Sequence, residues 1–125
     1  MRAYPCPCCG YLVFPGPPGS EEQCPICGWI DDEAQLRFAG FSGRPNGTSL
    51  LEGQRSFVEI GAKDRASLPF VRFPASYDRR DPSWRELDDD RDDIEPIPSD
   101  TFGLVYPDDL TTLYYWSPQY WRNSK

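Results

Sequence analysis

Cys6-Pro7-Cys8-Cys9-Gly10 and Cys24-Pro25-Ile26-Cys27-Gly28-Trp29 contain one unit twice, Cys-Pro-x-Cys-Gly. Two residues between the cysteines allow a tight turn that aims both sulfurs at one point, and proline pre-sets φ at roughly −65°. The glycine after the second cysteine tolerates positive φ, which swings backbone N–H groups toward the sulfurs. Two such knuckles supply four thiolates, the donor set of a tetrahedral structural zinc site. Cys6, Cys9, Cys24 and Cys27 are therefore the expected ligands of one Zn²⁺ per chain. Rubredoxin-type iron uses the same kind of knuckle, so the spacing leaves iron open beside zinc. Disulfides are the competing reading of such cysteines. Only one residue separates Cys8 from Cys6, too few for the usual ligand spacing. It is expected to be a spare thiol near the metal, inert unless it has a redox role.

The chain has 125 residues, enough for one compact domain. Mean hydropathy is −0.64, and no apolar run is long enough for a membrane span. Met1-Arg2-Ala3-Tyr4-Pro5 runs straight into a knuckle, which leaves no room for a signal peptide. With thiolate-type spacing, the expected compartment is a reducing cytoplasm. Fourteen prolines and ten glycines imply many turns and few long elements, so the metal should supply much of the stability. The net charge of −7 is concentrated in Glu86–Asp100, where eight acids face one base, Arg91. Elsewhere acids and bases balance. Nucleic-acid binding loses its main energetic term on such a surface.

The expected architecture is a small α+β fold with three segments. Residues 1–75 form a zinc-ribbon-like module with the layout knuckle, hairpin, knuckle. Tyr11–Phe14 is a β-prone run, Pro15–Ser20 a turn-rich loop, and Trp29 and Ile30 should pack over the metal. Asp31, Asp32 and Glu33 read as solvated or helix-start acids. After a loop ending in the turn pair Asn46-Gly47, residues 49–60 should form an amphipathic helix. Ser49 and Glu52 make a capping box, Leu50/Phe57 and Leu51/Val58 share a face, and Gly61 ends it. Phe70–Pro74 reads as a strand. Residues 76–100 are an acidic, proline-punctuated loop. In 101–125 an aromatic segment should pack on the same domain as a hairpin: strand Thr101–Tyr106, turn Pro107–Asp109, strand Leu110–Trp116. Leu110, Leu113 and Tyr114 also fit helical spacing with Asp109 as cap, the competing arrangement.

Residues from Tyr4 to about Asp64 resemble the cysteine-rich CPCC family of small bacterial proteins. The matching pieces are Cys-Pro-Cys-Cys-Gly-Tyr, then Cys-Pro-Ile-Cys-Gly-Trp-Ile-Asp-Asp, Asn46-Gly47 before Ser49-Leu50, Phe57 and Gly61-Ala62. The sequence departs at Gly28, where a bulky residue is expected, and at Ile30, where an acid is expected. The resemblance implies zinc binding. It also implies, because family members occur beside toxin genes, immunity functions for some of them.

Catalysis is disfavoured. The chain has no histidine, and a four-cysteine site has no open position for activating water. Phosphate loops, nucleophile elbows and dinucleotide fingerprints are missing from the sequence. The expected function is a non-catalytic protein-interaction module whose acidic segment steers a basic protein partner, such as a toxin. The alternatives are a nucleic-acid-associated zinc ribbon, or a small enzyme using clustered carboxylates.

Overall fold

A computed structural model describes residues 3–123. Met1, Arg2, Ser124 and Lys125, which fall in the expected leader-free N-terminus and in segments 1–75 and 101–125, lie outside the described residues. The fold is a small α+β arrangement. Strands β1 (Tyr4–Pro5) and β2 (Leu12–Phe14) pair antiparallel across the first knuckle, with Tyr4 opposite Phe14 and Pro5 opposite Leu12. An isolated bridge between Gln23 and Ile30 flanks the second knuckle in the same way. Helix α1 (Glu33–Arg37) and helix α2 (Leu50–Ile60) follow.

Local chemistry accounts for both helices. Asp32 caps α1 by accepting from Gln35 N, and Glu33 places negative charge in its first turn. Asp31 is instead buried, with Ser20 Oγ donating to it at 2.6 Å. The capping box of α2 is formed by Ser49 and Glu52, and Gly61 ends the helix in the left-handed region at φ 84°. The buried face of α2 is narrower than the periodicity predicts. Leu50, Gly53 and Gln54 are buried and Phe57 is partly buried, but Val58 is 66% exposed. The Leu51/Val58 pair is therefore not a second core stripe. Close approach explains the face used. A Cβ at Gly53 would lie 3.3 Å from Cys8 Sγ and 3.4 Å from Trp29, so the helix rests on the knuckles through its backbone.

Two expected strand regions are corrected. Arg65–Phe70 is a 3-10 helix capped by Asp64, and the residues after it have no strand partner, leaving Phe73 87% exposed. The C-terminal hairpin does not form. Residues 101–104 make a turn with Gly103 at φ 76°, and Phe102 is 95% exposed. Leu110–Leu113 is a 3-10 helix capped by Asp109, which accepts from Thr111 N, so the competing helical spacing prevails. It buries Leu113 and Tyr114, which a strand without a partner would not.

One core cluster joins all five cysteines with Phe14, Ile26, Trp29, Leu36, Leu50, Leu113, Tyr114 and Tyr115. Residues 76–100 are irregular in backbone, yet tied down. Asp92 pairs with Arg85 at 2.7 Å, Asp89 with Arg55 at 3.0 Å, Asp93 with Arg122 at 2.8 Å and Glu95 with Arg37 at 3.0 Å. Arg37 is itself buried. It donates to Val105 O and lies 4.7 Å from the ring centroids of both Tyr106 and Trp121. The acids expected to face solvent thus largely hold arginines of their own chain.

Candidate metal centre

The two knuckles fold alike because the repeated unit dictates the same bonds. In the first, Cys6 N donates to Tyr11 O at 2.8 Å and Gly10 N to Cys6 O at 2.6 Å. In the second, Cys24 N donates to Trp29 O at 2.8 Å and Gly28 N to Cys24 O at 2.9 Å. Gly10 and Gly28 sit at φ 84° and 89°, a region costly for other residues. Gly28 also has a packing reason. A Cβ there would come within 2.9 Å of Ser67, which lies directly on it.

The knuckles bring Cys6, Cys9, Cys24 and Cys27 together, with all four sulfurs within 4.8 Å of one another. Cys6 and Cys27 sulfurs are 3.6 Å apart, and those of Cys9 and Cys24 are 3.7 Å apart. Four sulfurs at about 2.3 Å from a central ion define a tetrahedron with edges of about 3.8 Å. The spacing therefore fits an ion of that kind, and all five cysteines are unbridged. Ile26 N and Cys27 N point at Cys24 Sγ at 3.4 and 3.5 Å. Burial pushes the Cys6 and Cys27 thiols well up, while thiol donors from Cys27, Cys6 and Cys9 hold Cys24 down. Four buried thiolates side by side are stable only with a cation between them.

Cys8 is buried outside this set, between the first knuckle and Gly53 of α2. Burial raises its thiol, opposed in part by a hydrogen bond with Cys27 and by the charge of Lys63. Lys63 is buried, donating from Nζ to Asn46 O at 3.0 Å and to Asp64 Oδ2 at 2.8 Å.

Several residues that position the centre were not singled out from sequence. Asn46, expected as a turn residue, is buried and acts like a piece of strand. Its Oδ1 accepts from Ile30 N at 2.8 Å, and its Nδ2 donates to Ile30 O and Gln35 Oε1, both at 3.0 Å. Gln54 Nε2 donates to Pro7 O at 2.9 Å and to the Tyr115 hydroxyl at 2.8 Å, while its Oε1 accepts from Leu87 N. Tyr115 in turn donates to Arg85 O. Trp84 Nε1 donates to the same Pro7 O at 2.9 Å, and Arg80 Nε to Cys9 O at 2.8 Å. The only sequence signal for Trp84 was a large aromatic stranded in a polar loop.

The chain belongs to the cysteine-rich CPCC family, whose model matches residues 4–78. No curated protein matches it. The metal centre lies entirely within the matched stretch, whereas Arg80, Trp84 and Tyr115 lie beyond it.

Proposed function

We propose that the chain is a non-catalytic, zinc-stapled protein that works by binding another protein. The buried four-cysteine cluster is the observation that carries the metal half of this reading. Cys6, Cys9, Cys24 and Cys27 would hold one Zn²⁺ and use all four of its positions, so the metal would supply folding energy and no substrate site. Iron would fit the same donors. Elemental analysis of chain purified without added metal tests this, with about one zinc per chain expected and a value near zero excluding it.

Large exposed aromatics support the interaction half. Phe70, Phe73, Tyr77 and Phe102 stand in solvent on a scaffold fixed by the metal. A basic protein, such as the toxin that the family resemblance implies, is the proposed partner, in a cytoplasmic setting. The net charge of −7 favours it at long range, although many acids of 86–100 already hold arginines. Among the described residues no helix is long and apolar enough to cross a membrane. A pull-down from the native host at low and high salt should recover a protein whose capture weakens with salt. Recovery of nucleic acid instead would exclude this half of the reading.

A further inference from the structure

The two knuckles are sealed by different parts of the chain. The second is covered from within the family-matched stretch. Ser67 lies on Gly28, Lys63 N donates to Cys27 O at 2.8 Å, and Arg72 N to Pro25 O at 3.0 Å. On the first, α2 touches Cys8 and Pro7 from within that stretch, and residues 79–84, outside it, cover the rest. Leu12 N donates to Arg79 O, and Asp81 N to Gly10 O, each at 2.8 Å. Arg80 donates to Cys9 O, with its guanidinium 4.9 Å from the ring centroids of both Tyr11 and Trp84. Trp84 lies so flat on Gly10 that a Cβ there would come within 2.6 Å of its ring.

This cover lacks regular secondary structure of its own; Trp84 lies on Gly10, and Leu87 and Ile94 pack on the core beyond it. Its continuation is held by the pairs Arg55–Asp89, Arg122–Asp93 and Arg37–Glu95, the first two exposed on at least one side. A cavity of about 190 Å³ lies beneath, lined by Leu36, Arg37, Leu87, Asp92, Tyr115 and Tyr120 among others. Two backbone bonds, a few side-chain bonds and exposed ion pairs hold it to its neighbours, and a segment so held opens at less cost than the whole fold.

We propose that residues 79–95 are a clasp that governs metal exchange. Closed, the clasp shields Cys6 and Cys9. Opening it exposes the first knuckle to a competing ligand while the second knuckle stays folded. The exchange is ligand substitution: metal–sulfur bonds break, bonds to the incoming donor form, and no electron moves. The inference rests on the zinc reading above and adds the route by which metal enters and leaves.

The test uses the full, zinc-loaded chain and a pyridylazo chelator. Transfer from the wild-type chain should be slow and independent of urea below the unfolding transition, the signature of local opening. In hydrogen exchange, the Leu12 and Asp81 N–H groups should open before those of Cys24 and Lys63. Combining Arg80→Ala with Trp84→Phe removes two knuckle contacts. It should speed transfer about tenfold, equivalent to ~1.4 kcal/mol off the opening cost, with zinc content unchanged. Asp89→Asn with Asp93→Asn loosens the far end without touching the knuckle, and should give a smaller acceleration. Equal rates in both variants would overturn the clasp alone, as would wild-type transfer that rises with urea in step with global unfolding. A chain that carries no metal would overturn the zinc reading and the clasp together.

Discussion

The two knuckles share the Cys-Pro-x-Cys-Gly unit and its backbone bonds, but differ in what lies on them. Cys24–Gly28 is covered by chain that follows α2 closely. Cys6–Gly10, beyond its contact with α2, is covered by chain some seventy residues away in sequence. A repeated unit therefore fixes the turn, the glycine conformation and the aim of the sulfurs. It does not fix the cover, because that depends on which distant side chains reach the knuckle carbonyls.

The largest expected effect treats the knuckles as equals. Cys9→Ser and Cys24→Ser should each abolish zinc binding, and with it binding energy of roughly 10–16 kcal/mol that is also folding energy. Cys8→Ser should keep full zinc content by elemental analysis. If Cys8→Ser and Cys24→Ser lose metal alike, the assignment of four ligands and one spare is wrong.

Next in size are the glycines. Gly10→Ala and Gly28→Ala each combine positive φ with a clash, against Trp84 and Ser67 respectively. Each should cost about 2–5 kcal/mol in denaturant unfolding. Gly61→Ala, equally left-handed but with nothing within 4 Å, should cost only about 1–2 kcal/mol. A Gly10 variant no worse than the Gly61 variant would mean that Trp84 yields freely and the first cover is loose.

Gln54→Leu separates the covers. It leaves the Leu87 N–H without its acceptor and removes one donor from Pro7 O, for about 1–3 kcal/mol. Amide exchange should rise near the first knuckle and hold steady near the second. Val58→Ser on the same helix should stay within about 0.5 kcal/mol, since Val58 faces solvent.

The smallest effect is acid loosening of the clasp. Its bond to the Arg85 guanidinium holds the Asp92 carboxyl below the usual carboxylate range, an effect opposed in part by desolvation. A depressed folded pKa adds stability above the unfolded value of about 3.9, and that stability is lost as pH falls through the folded pKa. Carboxyl chemical-shift titration should place Asp92 below an unpaired aspartate, and Arg85→Gln should move it up. An Asp92 that titrates normally in the intact chain would show that the pair does not hold in solution.

What was legible in the sequence had a local cause. The knuckles, the Ser49/Glu52 capping box and the left-handed Gly61 each depend on residues within a few positions of one another. What was missed was non-local or balanced. Gln54 is polar, so an apolar stripe could not announce it as core, yet it ties Pro7, Leu87 and Tyr115 together. Leu110–Trp116 had the composition of a strand, but no partner strand lay nearby, and the Asp109 cap decided for a 3-10 turn. The acidic run looked like a solvated field because its arginine partners, Arg37, Arg55 and Arg122, are remote in sequence.

Where the clasp falls along the chain sets an order of events during synthesis. All four ligand cysteines precede residue 28, while the first clasp residues come about fifty positions later. At about 5–20 residues per second, the cysteines leave the ribosome some 3–10 s before the segment that will cover them. On the zinc reading, metal would meet an open first knuckle in the nascent chain and a covered one afterwards. The finished apoprotein should consequently take up zinc more slowly than a chain refolded from denaturant with zinc already present. Comparable uptake rates would show that the order of emergence has no consequence for loading.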